Sequence, residues 1–410
     1  MDRRTMLHRS AAGLLGLGFA GCASKAPALG VVRPTRRLAP VRASWDRVIR
    51  TTVGLRPYRS SGFVVGAERL GGKMLVHNFG HGGAGMSLSW GTGRMAAELA
   101  LQRPERSAAV VGCGVVGLTT ARQLQRMGYQ VTIYADAVPP DTTSNMSLAS
   151  WTPTSGLVDG DARTPAWDAQ FRRAATIAYG ELQLLVGRGY GVSWLEGYSL
   201  RSRPPDSSDG GGRRRGSAEE GSGGQEVPGG QEASVAREEM AARTPLLPPE
   251  LETESVLLGP GEHPFPTPYV SRRLSMRIEP SIYLDRLVSD VREAGGAIVI
   301  RRFESRRGLA ALPEPVVFNC TGLGARDLVG DPELTPLKGQ LTLLVPQPEV
   351  DYSTFGSATP SAGGFVHMSP RSDGIALGGT SVEGDWSLEP DPQARRRIVE
   401  AHIDLFSRMG

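Results

Sequence analysis

The sequence predicts an α/β fold in two parts: a parallel sheet flanked by helices, and a second, mainly antiparallel sheet. Three stretches carry this expectation. Ser107–Asp136 reads strand, glycine turn, helix, strand. Pro315–Cys320 is a strand that opens into the small-residue turn Thr321-Gly322-Leu323-Gly324-Ala325. Phe365–Met368 and Ile375–Gly378 flank Pro370-Arg371-Ser372-Asp373-Gly374, the punctuation of a hairpin. At 410 residues, 40% apolar and 21% charged, the chain can bury a large core and divide it between two domains. A net charge of +4 with scattered arginines makes no basic stripe interleaved with aromatics, so nucleic acid is not an expected partner. Three cysteines offer no disulfide framework, and six histidines without a Cys/His cluster offer no metal site.

Ser107–Asp136 organises the rest. Ala108–Val111 is an apolar run fit for a buried strand. Gly112, Gly114 and Gly117 then spell G-x-G-x-x-G, with Val115 and Val116 inside the motif and Leu118, Ala121 and Leu124 continuing at helical spacing. A second strand, Gln130–Tyr134, leads to Asp136, 24 residues after Gly112. Gly112 permits a tight turn, Gly114 lets backbone approach a pyrophosphate, and Gly117 lets helix and strand pack closely. The helix N-terminus presents unpaired N–H groups and the positive end of its dipole to phosphate. Asp136 can accept from the adenosine ribose hydroxyls, and its charge resists a 2′-phosphate. Glycines alone would say little; strand, glycines, helix, strand and acid in this order predict a Rossmann-like domain holding a dinucleotide.

Taken in order, the chain begins with what reads as targeting information. Arg3 and Arg4 form a twin-arginine pair, Ala11–Ala20 is weakly apolar, and Phe19-Ala20-Gly21-Cys22 resembles a lipoprotein processing site. Ten such residues cannot cross a hydrocarbon core that needs about 20. Residues 1–22 are therefore expected to direct twin-arginine export, with lipidated Cys22 anchoring the protein in a bacterial cell envelope. A cleaved secretory signal or a chance apolar start are the rival readings. Residues 23–44, rich in Ala, Pro and Arg, read as a tether. In Thr51–Val65, Pro57 biases Arg56 away from helix. Lys73–Asn78 reads as a strand running into Gly80-His81-Gly82-Gly83-Ala84-Gly85, and a helix follows from about Met86 to Ala100. Glycines there suit close approach to a flat ligand, or only a glycine-rich turn.

Arg103–Ser107 leaves no room for a domain boundary before the dinucleotide motif. Thr142, Thr143 and Ser144 supply hydroxyls that can complete a pyrophosphate cradle. Trp167–Gly187 reads as helix and Tyr190–Leu200 as strand. Pro204–Gln231, mostly Gly, Ser, Arg, Asp and Glu, cannot bury enough side chain to order itself and reads as a disordered insertion. Glu238–Glu254 suggests a short helix and loop, and Tyr269–Ile278 alternates loosely. Pro280–Ala294 has the stripe of a helix, Ala297–Ile300 reads as a buried strand, Leu334–Val345 as a strand, and Glu389–Arg408 as the last helix. Cys113 and Cys320 read as small buried fillers.

Four blocks together carry a family likeness: VVGCGVVGLTTARQL, YADAVPPDTTSNMSLASWTP, VFNCTGLGARDL with LKGQ, and GLRPYR followed by LVHNFGHGGAGMSLSWG. On these the chain resembles the D-amino-acid oxidase family of flavoproteins. In that family the glycine motif opens the chain and the GLRPYR and HNFGHGG blocks close it. Here they come first, so the chain looks circularly permuted, with Arg103–Ser107 sealing the family's usual ends. A surface break between neighbouring termini leaves core contacts intact.

The resemblance implies FAD, with Gly112, Gly114, Val115, Val116, Gly117 and Asp136 at its adenosine half and Thr142, Thr143 and Ser144 at its phosphates. It sets the flavin edge against Gly82, Gly83, Ala84, Gly85 and Met86, where a helix dipole stabilises negative charge on the reduced ring. Arg56 matches the family's arginine for the substrate carboxylate. His367 stands where the family has a tyrosine on the same carboxylate, and as a cation it would favour an acidic substrate. A second family tyrosine falls near Gly363 and is missing. His77 and His81 are assigned packing and hydrogen bonding. The implied reaction is hydride transfer from the Cα of a D-amino acid, or a related small amino acid, to flavin N5. Its products are a 2-keto acid, ammonia and hydrogen peroxide, with oxygen as the electron acceptor. The rivals are a flavin dehydrogenase coupled to a membrane acceptor and a non-catalytic flavin-fold binding protein. The FAD-binding domain is expected over 67–160, 281–335 and 371–410, and the substrate domain over 45–66, 161–203, 232–280 and 336–370.

Overall fold

The computed structural model describes residues 37–148, 150–204, 245–356 and 365–410. The signal with Cys22, most of the tether, the low-complexity insertion after Pro204 and Gly363 lie outside the described residues. In chain order the elements are β1 (Val48–Tyr58), β2 (Val64–Leu70), β3 (Lys73–Phe79), α1 (Gly85–Ala100), β4 (Ser107–Val111), α2 (Val115–Arg126) and β5 (Gln130–Ala135). There follow α3 (Pro165–Leu185), β6 (Val192–Arg201), β7 (Ser255–Leu258), β8 (Tyr269–Ile278), α4 (Pro280–Glu293), β9 (Ala297–Ile300), α5 (Arg306–Ala310) and β10 (Val316–Asn319). The chain closes with α6 (Ala325–Val329), β11 (Thr335–Leu344), β12 (Tyr352–Phe355), β13 (His367–Arg371), β14 (Gly374–Gly378), β15 (Val382–Glu383) and α7 (Pro392–Ser407).

Helix starts follow capping chemistry. Thr164 accepts from Trp167 N–H ahead of Pro165, and Asp391 accepts from Gln393 and Ala394 N–H ahead of Pro392. Each pairs a short oxygen-bearing cap with a proline whose missing N–H costs nothing in the first turn. This is why α3 begins two residues before the sequence pattern and α7 three residues after it.

Two sheets carry the architecture. One has six strands in the order β2-β3-β10-β4-β5-β9, parallel throughout except for β2. Its register sets Asn319 beside both His77 and Val111, so β10 and β4 end together and β3 runs on to Phe79. The other has nine strands, ordered β1-β11-β14-β13-β12-β6-β8-β7 with β15 on β11, and only β12–β6 is parallel. Helix α1 lies against both α2 and α3. A Cβ at Gly91 would stand 1.9 Å from the Ala174 carbonyl oxygen, so the helices touch backbone to backbone. Trp90 fills the adjoining core and donates to the Tyr283 hydroxyl at 2.6 Å.

Two expectations change. β9 is an edge strand rather than a buried one, with Val299 40% and Ile300 66% exposed, because β5 flanks it on one side only. Residues 371–410 belong with the antiparallel sheet rather than the FAD-binding part. Arg371 pairs directly with Gly374, so the turn has only two central residues and β14 must lie beside β13. Helix α7 then packs Ile398, Val399, Leu405 and Phe406 into the same core as Leu344, Met368 and Leu377.

Candidate active site

The G-x-G-x-x-G turn joins β4 to α2, and contact distances explain each glycine. Gly112 has φ +114°, and a Cβ there would lie 2.3 Å from the Cys320 carbonyl oxygen. A Cβ at Gly117 would stand 2.0 Å from the Gly112 carbonyl, as close helix–strand packing requires. Gly114 differs: its missing side chain meets only Ser144 Oγ, at 3.1 Å, so its approach is open to a ligand. Val115 opens α2 and donates its N–H to Ser144 Oγ at 3.0 Å, while Val116 accepts from the Thr120 hydroxyl at 2.7 Å. Of the three cradle hydroxyls, Ser144 thus reaches the helix start. Thr142 is buried and spends its proton on Asn145 Oδ1 (2.7 Å); Thr143 begins the short turn Thr143–Met146.

Asp136 sits at the end of β5 with its side chain 65% exposed, paired at 3.2 Å with Arg302 just beyond β9. An exposed pair of this kind contributes little, so the carboxylate is available to a ribose. Arg302 also offsets the charge expected to repel a 2′-phosphate, a feature that the local sequence around Asp136 did not reveal.

The second glycine turn ends β3. Its glycines face protein backbone: a Cβ at Gly82 would lie 1.8 Å from the Gly156 carbonyl, and one at Gly83 would lie 2.7 Å from that of Ser155. Gly83 N–H donates to Gly156 O at 3.2 Å. The Ser155-Gly156 strap, which sequence reading passed over, is enough to require glycine at these two positions. Ala84 and Met86 are buried. Gly85 faces Val115, with Cγ1 3.7 Å from where its Cβ would be. The starts of α1 and α2, one after each glycine turn, are thus neighbours. His81 is buried, hydrogen-bonds Thr92 at 2.9 Å and stacks on Phe63, and burial pushes its pKa down to about 3.

Arg56 and His367 share one face of the nine-stranded sheet. Arg56 pairs with Leu337 and Thr52 with Leu341, Leu341 pairs with Gly378, and Gly378 pairs with His367. Directly opposed residues share a face and alternate residues keep it. Gly54 lies on this face too, and its missing Cβ would stand 2.9 Å from Met146 Cβ, so the face looks onto the phosphate turn. Arg56 Nε donates to Leu337 O (2.9 Å), and Nη2 to Ser381 Oγ (3.0 Å) and Thr380 O (3.4 Å). All three acceptors are neutral, and among the described residues no carboxylate pairs with this guanidinium. Desolvation draws it down to about 10, so it stays charged at neutral pH.

The His367 ring lies over Gly378, with Cε1 2.2 Å from where a Cβ would be, and among the described residues its buried Nδ1 has no hydrogen-bond partner. Burial first, then His402 and Arg56, push its pKa down to about 3. The cationic role considered for His367 is therefore corrected: it is a neutral imidazole. Phe355 pairs with it across β12–β13 and Phe365 stacks obliquely at 5.9 Å, so the wall beside it is aromatic.

These parts converge beyond the carboxyl ends of β3, β10 and β4, where α/β sheets take ligands. The open Gly114, the α2 N-terminus with Ser144, and exposed Asp136 fit the phosphates and ribose of FAD. The turn at 321–324 abuts Gly112 through Cys320 O, and a Cβ at Gly322 would lie 3.8 Å from Pro57, next to Arg56. Among the described residues no helix is long and apolar enough to cross a membrane.

A family model described as FAD dependent oxidoreductase matches residues 29–99 and 107–409. A D-amino-acid oxidase of Rubrobacter xylanophilus is 30% identical over 302 residues, covering 74% of this chain and 78% of that protein. One from Streptomyces coelicolor is 31% identical over 293 residues, covering 71% and 74%. Human D-aspartate oxidase is 26% identical over 293 residues, covering 71% and 73%. Among solved structures, L-proline dehydrogenase from P. horikoshii overlays with a TM-score of 0.47 at 14% identity, covering 74% of this chain and 78% of that one. With FAD as cofactor and D-amino-acid oxidases among its relatives, the chain belongs to the FAD-dependent oxidoreductase family.

Proposed function

We propose that the protein oxidises a D-amino acid to a 2-imino acid, which water converts to the 2-keto acid and ammonia, with oxygen reduced to hydrogen peroxide. The observation that carries this reading is Arg56: a charged guanidinium on the inner sheet face, beside the dinucleotide turns, held only by neutral acceptors. Such a group is set to receive a carboxylate from outside the chain. FAD, when bound, supplies the two-electron acceptor and the route to oxygen. The chain's own residues bind and orient. Arg56 grips the carboxylate, fixing the direction of the Cα–H, and the gain from such a clamp is positional. His367, neutral and with Nδ1 unpartnered, offers hydrogen-bonding capacity without a second charge. Phe355, half-buried, lines the same wall. No side chain has to remove the Cα proton.

The circular permutation belongs to this proposal. Its support is that the family match is interrupted at 100–106, the link between α1 and β4, and that β3 and β4 flank β10 in one sheet. Peroxide release measured over a panel of D- and L-amino acids, with and without an artificial electron acceptor, tests the function. Peroxide from D-amino acids supports it. Dye reduction without peroxide points to a dehydrogenase, and turnover of neither kind removes the catalytic reading.

A further inference from the structure

A line of polar side chains runs from the protein surface to the turn at 321–324 without touching Arg56 or His367. Arg306 on α5 pairs with Glu68 on β2 at 2.8 Å, and Glu68 hydrogen-bonds His77 Nε2 on β3 at 2.9 Å. His77 Nδ1 faces the amide nitrogen of Asn319, on β10, at 3.4 Å. Asn319 Oδ1 in turn accepts from the Thr321 N–H (3.3 Å) and hydroxyl (2.7 Å). The Thr321 N–H can only donate, so the amide oxygen must face it and the amide NH2 must face His77. His77 Nδ1 therefore accepts, and the ring proton sits on Nε2 and donates to Glu68. Each bond sets the direction of the next. Asn319 is fully buried, where an unpaired amide is costly.

The inner end of this line bears on the cofactor. The Thr321 nitrogen lies 3.5 Å from where a Gly112 Cβ would be, and a Cβ at Gly322 would lie 3.8 Å from Pro57 Cγ. The turn therefore lies between the dinucleotide motif at Gly112 and Pro57, the neighbour of Arg56. We propose that Glu68, His77 and Asn319 are positioning residues that hold the turn at 321–324 against FAD, and that protonation of His77 releases it. An imidazolium carries N–H on both nitrogens, so Nδ1–H meets the Asn319 NH2 donor to donor. The amide then rotates to turn its oxygen to His77, and Thr321 N–H loses its acceptor. The charged groups facing His77 are Glu68 from β2 and, behind it, Arg306 from α5; β10 presents the Asn319 amide, and Phe79 on His77's own strand presents an aromatic ring at 5.6 Å. Arg306 holds the Glu68 carboxyl below its ordinary range, so it accepts from Nε2 throughout.

The test follows FAD released from the holoenzyme by its fluorescence, giving a Kd at each pH between about 8 and 5. The wild-type Kd is expected to rise about tenfold toward acid, the effect of losing one or two hydrogen bonds. Asn319→Asp accepts from both His77 and Thr321, so its Kd is expected to stay flat. Asn319→Leu supports neither and binds FAD weakly at both ends of the range. A wild-type Kd that does not change with pH, or an Asn319→Asp variant that weakens in parallel with wild type, overturns the proposal.

Discussion

Replacing Arg56 with alanine tests the carboxylate clamp most directly. Nε and Nη2 are already committed to Leu337 O, Ser381 Oγ and Thr380 O, while the two N–H groups of Nη1 meet no acceptor among the described residues. Those two are free for a substrate carboxylate. At about 1.5–3 kcal/mol for each charge-assisted bond, one to two bonds are worth about 1.5–6 kcal/mol. With about 1.4 kcal/mol per decade, kcat/KM should fall between about 10-fold and 10⁴-fold, mostly through KM. The assay compares a D-amino acid with the amine that lacks its carboxylate. Only the amino acid should lose rate. Arg56→Lys should recover part of the loss, since it restores charge but not the planar fork. The variant also frees three acceptors on β11 and the 380–381 loop, so thermal unfolding of the FAD-loaded protein must accompany the kinetics. An equal fall for both substrates, or an unchanged KM, would refute the clamp.

Two further predictions concern the glycine turn and acid stability. Gly117→Ala drives a Cβ to 2.0 Å from the Gly112 carbonyl and should cost about 3 kcal/mol or more, whereas Gly114→Ala meets only Ser144 Oγ at 3.1 Å and should change stability by less than about 1 kcal/mol while FAD retention falls. Thermal unfolding and retained flavin absorbance separate the two variants, and identical behaviour would contradict the assignment of Gly114 to the phosphates. His81, His367 and His402 are each pushed down from 6.5, to about 3, 3 and 4, by burial. The unfolded chain therefore takes up protons the native state refuses, and stability that is whole above 6.5 drains as pH falls toward 4. Three such groups give about 4 kcal/mol per pH unit, at about 1.4 kcal/mol each. Urea unfolding at several pH values checks this; a flat profile across that window would remove the histidines as its cause.

Local chemistry made part of the protein legible in advance. The dinucleotide unit could be read because its strand, glycines, helix and acid lie within one short stretch, and each residue's task depends on near neighbours. Arg56 was found through the company of Pro57 and the blocks around it. His367's charge was misjudged, because it depends on burial against Phe355 of β12 and Gly378 of β14, neither of them near it in sequence. The reason for Gly82 and Gly83 was hidden for the same cause: the carbonyls that crowd them belong to residues 155 and 156.

What the sequence by itself determined is the list of parts: two glycine turns, an arginine beside Pro57, and the order in which strands and helices alternate. Only the tertiary structure decided that Gly85 faces Val115, that Arg56 meets no acid among the described residues, and that Asn319 is wired through His77 to Glu68. The physical reason is range. Turn chemistry and helix caps act over a few residues, whereas charge state, crowding and hydrogen-bond direction are set by whatever the fold brings within about 4 Å.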